Sequence, residues 1–252
     1  MKIGILQCDH VPAGLVGRHG DYDQFFMGLL ADERFEFSTF PVVDGVFPSS
    51  IDEADGWVIT GGASSVSDPD EWIGRLKEFV RDAYFQRIPM LGVCFGHQLI
   101  ASALGGDVGK SKSGWTAGPV EYCRTDLNTR QIALTWHQEE VTLLPDSARV
   151  VGASECCRNA ILRYGDTVLT YQGHPEIKPG FLIDLLATHG AMLPATVREN
   201  VLRSKLRPSS TRDFVDEIKK LFLERQNRQK AGAPQNAKGP ATAGEESECG
   251  GL

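Results

Sequence analysis

Short apolar runs alternate along the first half of the chain with longer stretches whose apolar positions recur every three or four residues. The runs at 2–7, 35–40, 57–60 and 89–93 predict β-strands. The 89–93 run is uniformly apolar, as in a strand buried on both faces. Between them, 22–30 and 70–86 predict helices. The second carries a stripe of Trp72, Ile73, Leu76, Phe79, Val80 and Ala83, with Asp68 or Asp70 as its expected cap. A further helix is expected over 96–104, stopped by Gly105-Gly106. This alternation is a βαβ pattern and predicts a mostly parallel sheet flanked by helices. In the second half, strands at 119–124, 148–153, 160–164 and 167–171 follow one another closely and are expected to add antiparallel pairs to that sheet. Helices are expected over 181–189, 195–205 and 212–225. No internal repeat is found. After about Gln229 large apolar residues become scarce, so 1–229 reads as one domain and 230–252 as a disordered tail.

Composition narrows the class. Hydrophobic residues make up 41% of the 252, enough for a real core, and charged residues 23%. A net charge of -7 argues against a nucleic-acid or anionic-membrane surface. No apolar run reaches the roughly 18–20 residues of a membrane span. The first residues, Met1 to Gln7, lack a signal-peptide pattern, so a cytoplasmic protein is expected. Six cysteines without a C-x-x-C pair form no disulfide scaffold. Adjacent Cys156 and Cys157 read as packed thiols rather than a redox pair.

The segment Gly92-Val93-Cys94-Phe95-Gly96-His97-Gln98 carries the strongest chemical signal. A strand runs into Gly-x-Cys-x-Gly and a helix begins at once, the thiol version of a nucleophile elbow. The sharp turn projects Cys94 above the sheet, and glycine on either side avoids a clash. The helix start directs its positive end at the thiol, and the Phe95 N–H faces a developing oxyanion. Cys94 and His97 alone cannot close a zinc site, and no second pair lies nearby; neither metal nor cofactor is predicted.

A thiol nucleophile needs a base. His10 and His19 sit in a Gly-rich loop, His189 ends a helix, and His97 shares the helix of Cys94. His137 and His174 remain. His174 follows an apolar strand, and active sites gather at the carboxyl ends of such strands. Glu176, held two residues on by Pro175, can accept the second imidazole N–H and set the tautomer. Thr60-Gly61-Gly62 follows the third strand and can turn backbone N–H groups toward a ligand.

Together these segments resemble the class I (triad) glutamine amidotransferase domain, over about 1–229 and in the order of that family. The resemblance implies an open, mostly parallel α/β sheet of flavodoxin-like character. It implies Cys94 as nucleophile, His174 as acid–base and Glu176 as its orienter. Gly61, Gly62 and the Phe95 backbone would form the oxyanion hole. Gln98 would contact the bound glutamine, and His137, in the segment 136–141, would line the glutamine pocket. The implied activity is cysteine-dependent hydrolysis of a γ-glutamyl amide, with a small-molecule substrate, glutamine or another γ-glutamyl compound. Family domains usually feed ammonia to a synthetase, and no P-loop follows here, so a separate synthetase subunit or stand-alone hydrolysis is implied. The wording around Cys94 and His174 is similar to the γ-glutamyl peptidase branch, which acts on γ-glutamyl peptides such as glutathione conjugates. A non-catalytic, amidotransferase-like regulatory partner is a third reading. A related group of intracellular peptidases and chaperone-like proteins places His directly after its Cys, where this chain has Phe95.

Overall fold

The computed structural model of the chain describes residues 1–204 and 211–232. In chain order the elements are β1 (Lys2–Gln7), α1 (Ala13–His19), α2 (Tyr22–Leu29), β2 (Glu36–Pro41), β3 (Gly56–Ile59), α3 (Glu71–Phe85), β4 (Met90–Val93) and α4 (Phe95–Ala103). Then come β5 (Asp107–Lys110), β6 (Thr116–Arg124), β7 (Thr129–His137), β8 (Glu139–Leu143), β9 (Ala148–Ala153), β10 (Ile161–Tyr164) and β11 (Val168–Tyr171). Helices α5 (Pro179–His189), α6 (Ala195–Arg203) and α7 (Thr211–Gly232) come last. The main sheet runs β2-β1-β3-β4-β11-β10-β9-β6-β7. Its first five members are parallel, and β10, β9, β6 and β7 extend it with antiparallel pairs, as the sequence pattern predicts for all but β7. β5 and β8 form a separate antiparallel pair.

The alternation of side chains across the sheet builds two cores. Leu6, Trp57, Ile59 and Met90 face α3 and α4, meeting Ile73, Leu76, Val80, Leu99 and Ile100. Ile3, Ile5, Val58, Leu91 and Val93 face the other way, onto Phe26 of α2 and Phe214, Ile218 and Phe222 of α7. A third cluster joins α1, α5 and α6 around Leu15, Phe181, Leu185 and Val201.

Several expectations change. Asp70 stands at the N-cap of α3 but its side chain makes no capping bond, and Asp68 accepts instead from the Ser65 N–H at 2.8 Å. A full capping box appears at α2, where Asp21 and Gln24 satisfy each other's backbone. Helix α4 stops as expected: Gly105 takes φ +98 and the Gly106 N–H donates to Ala101 O at 2.9 Å. Helix α7, expected over 212–225, spans Thr211–Gly232. The rest of the expected tail, with Cys249, lies outside the described residues. Among the described residues, no helix is long and apolar enough to cross a membrane, and no group of three or more His, Cys, Asp or Glu could hold a metal ion.

Candidate active site

Three neighbouring strands deliver the site. β3, β4 and β11 lie side by side and parallel, so their carboxyl ends open at one edge. The register pairs Tyr171 with Val93. Cys94 and Gln172, the next residue on each strand, therefore emerge together, and the Gln172 Nε2 lies 3.7 Å from the Cys94 Sγ. Gly61 and Gly62 follow β3 on the other flank.

Cys94 adopts φ +51, ψ −105, a conformation costly for any residue with a side chain. Its N–H is tied to Tyr171 O at 2.8 Å. A Cβ on Gly92 would stand 2.7 Å from Gly96 O, so this turn excludes a side chain at 92. Gly96 is needed for a different contact from the expected one: its Cβ would strike the Ile59 carbonyl of β3 rather than Gly92. Phe95 opens α4, where an N–H has no acceptor in its own helix. Its ring turns into the core against Trp72, 5.5 Å between centroids, and Phe95 is not among the residues that line the cavity at Cys94.

His174 sits beyond β11, pinned by its N–H to Leu134 O at 2.7 Å. Its Nδ1 meets Glu176 Oε1 at 2.7 Å, both side chains being nearly fully buried. Burial works against charge on this imidazole, but the Glu176 carboxylate and the Cys94 sulfur overcome it and raise it to about 10. A Cβ on Gly61 would lie 3.0 Å from His174 Cε1 and 3.5 Å from Cys94 Cβ, so Gly61 is wedged against both.

One cavity of about 470 Å³ is lined by Cys94, His174, Gly61, Gly62, Gln98 and His137. Glu176 stands behind His174. Gln98 is held from within: its Nε2 donates to Glu139 O at 2.8 Å and to Gln172 Oε1 at 3.2 Å. His137 ends β7 and its Nδ1 donates to Glu139 O at 3.0 Å, leaving Nε2 as an acceptor. Burial lowers it to about 4, with the charge of His174 adding to the effect against the Glu139 carbonyl, so it is neutral at pH 7. His97 points elsewhere: it is fully buried and shares a hydrogen bond with Thr170 Oγ1 at 2.7 Å. Sequence reasoning missed Gln172 and Glu139 as organisers of the site. For Gln172 the signal was present, two residues before His174 at the end of an apolar strand.

Residues 35–182 match the family described as glutamine amidotransferase class-I. The chain belongs to this family. Over 224 residues the amidotransferase-like chain is 29% identical to gamma-glutamyl peptidase 4 of Arabidopsis thaliana, covering 82% of itself and 89% of that protein. It is 35% identical over 133 residues to a glutamine-hydrolyzing GMP synthase subunit of Methanococcoides burtonii, covering 50% of itself and 66% of that protein. In fold it is similar to the crystal structure of a glutamine amidotransferase from Thermotoga maritima, with a TM-score of 0.67 at 18% identity, covering 89% of this chain and 97% of that one. The fold is thus the flavodoxin-like one of class I amidotransferases, and the chain is an amidotransferase-like hydrolase.

Proposed function

We propose that this amidotransferase-like protein hydrolyses a γ-glutamyl amide through a thioester on Cys94. The observation that carries the reading is the strained Cys94, at the end of β4, sharing a cavity with the His174–Glu176 pair at the end of β11. Cys94 Sγ adds to the γ-carbonyl carbon, and the backbone N–H groups of Phe95 and Gly62, with Gly61 beside them, hold the oxyanion. Collapse breaks the C–N bond as His174 gives its proton to the leaving nitrogen. Water then adds to the thioester, returns a proton to His174 and releases glutamate. Glu176 orients the imidazole and stabilises its charged form. Gln98 and neutral His137 shape the pocket for the glutamyl group. The purified protein, offered glutamine and γ-glutamyl peptides, should release glutamate, and Cys94→Ser should abolish both this and labelling by a glutamine-like electrophile. Equal labelling of both proteins overturns the reading.

A second reading concerns what leaves. The likeness to a gamma-glutamyl peptidase spans 82% of the chain, against 50% for the GMP synthase relative. That favours stand-alone cleavage of substituted γ-glutamyl amides over ammonia supply to a separate synthetase subunit. We place the working unit in 1–229 and the protein in the cytoplasm, where reducing conditions keep Cys94 available.

A further inference from the structure

The lining of the cavity around Cys94 contains two chemically different sets of residues. One is polar, with Gly61, Gly62, Gln98 and Glu139. The other is formed by Trp115, Trp136, Ile177, Phe181, Leu185 and Met192. Apart from Met192, these residues belong to the cluster packed around α5, so this set is the open face of an apolar core. Trp115 and Trp136 meet edge to face, 6.4 Å between centroids, and Phe181 is braced edge-on by Phe25 at 5.0 Å. Aromatic walls held in this way are rigid.

The apolar residues flank His174 in the chain and across the sheet. Ile177 follows His174 by three residues, with Phe181 and Leu185 next along α5. Trp136 is two residues from Leu134, which bridges to His174. An imidazole that protonates the leaving nitrogen must stand beside it. The leaving amine, not the glutamyl group, therefore faces this wall. Among the described residues lining the cavity there is no Lys and no Arg, while Asp9 and Glu139 are acidic. A carboxylate on the leaving group would meet no Lys or Arg there, and of the lining histidines His10 already faces Asp21 and Asp44, His174 faces Glu176, and His189 shares its Nδ1 with Thr188 Oγ1.

We infer that the leaving group is an uncharged aromatic or aralkyl amine, making γ-glutamyl arylalkylamides the substrate class. This rests on the proposed thioester hydrolysis. The Sγ–C bond forms as the C–N bond breaks, and the nitrogen departs as a neutral amine carrying the His174 proton. Water supplies the oxygen of glutamate, returns a proton to His174 and frees the sulfur.

Three compounds isolate the claim. γ-L-Glutamyl-phenethylamide and γ-L-glutamyl-ethylamide differ by a phenyl ring. γ-L-Glutamyl-phenethylamide and γ-L-glutamyl-phenylalanine differ by a carboxylate. The phenethylamide should show kcat/KM at least about tenfold above either of the others. Trp115→Ala should shrink the phenethylamide-to-ethylamide ratio by at least about threefold. Met192 is 54% exposed, so Met192→Lys should fold, and a cation there should raise γ-glutamyl-phenylalanine cleavage relative to the phenethylamide. If the ethylamide or glutamine is cleaved as fast as the phenethylamide, or the phenylalanine compound faster, the leaving-group inference fails while the hydrolase reading stands. If no γ-glutamyl amide yields glutamate, both fail.

Discussion

At the scale of single residues, the charge state of His174 is the sensitive quantity. An imidazole buried without a partner would lose its proton more easily than in water. Here the Glu176 carboxylate at 2.7 Å and the Cys94 sulfur reverse that sign and carry it to about 10. In the proposed reaction, the proton needed by the leaving amine is therefore retained through neutral pH and lost as pH rises toward 10. Glu176→Gln keeps a group of the same size but removes the charge. It should lower kcat/KM by about 10²–10⁴-fold and move the alkaline limb of the pH–rate profile to lower pH. An unchanged alkaline limb would mean that Glu176 does not set the charge of His174. The strain at Cys94 makes a second residue-level prediction. Gly92→Ala puts a methyl 2.7 Å from Gly96 O in the turn that already holds φ +51, so it should destabilise the fold by about 1–3 kcal/mol and lower turnover, read from urea melts and from glutamate release.

At the scale of elements, a buried ion pair fastens α7 to the sheet behind the site. Arg124 on β6 is fully buried and makes a two-point contact with Glu217 of α7 at 2.7 and 2.8 Å. Tyr171, the last residue of β11, donates to the same carboxylate at 2.7 Å, and Arg163 does so from β10. Burial alone would raise the Glu217 carboxyl. The Arg124 and Tyr171 hydrogen bonds and the nearby positive charges outweigh it and lower it to about 2. Glu217→Ala leaves Arg124 with Asp126 and Gln131 as its remaining partners and should cost about 1–3 kcal/mol, measured by denaturant unfolding. None of this was legible in the chain order, because Arg124 and Glu217 stand 93 residues apart. What was legible is local: the apolar runs of β1, β3, β4 and β11, the stripe of α3 and the glycines of the Cys94 turn. Strands β5 and β8 escaped because they are short, largely polar at their ends and paired only with each other. β7 escaped because it begins with exposed polar residues, and its length comes from pairing with β6. Cys94 and His174 stood out because each follows a readable strand, and Glu176 because it lies two residues past His174. Glu139 was not readable, because it meets Gln98 through its backbone carbonyl on a strand that the sequence pattern missed.

At the scale of the whole molecule, the net charge of -7 says little about the pH at which the fold fails, because the groups that matter are buried histidines. Burial, with the neighbouring His137, lowers His97 to about 3, and burial with His174 lowers His137 to about 4. In the unfolded chain both take a proton near the ordinary histidine value of about 6.5. Between about 6.5 and 4 the unfolded state therefore binds more protons, and stability must fall as pH falls through that window. His174 and His10 have the opposite sign. Both are raised, so their contribution is complete below about 6.5 and is lost only as pH rises toward their folded values. The Glu217 contribution begins to fall only below about 4.5, the ordinary glutamate value, and is lost toward about 2. The acid limb above pH 4.5 thus belongs chiefly to His97 and His137, each adding a slope of up to about 1.4 kcal/mol per pH unit. His97→Asn keeps a polar group beside Thr170 and removes one titrating site. Its unfolding free energy, followed by urea from pH 5.5 to 4.5, where the contributions of His174 and His10 are complete, should fall about half as steeply as that of the parent, whatever its starting stability. An equal slope in the two proteins would show that the acid limb is carried by groups other than the buried imidazole of α4.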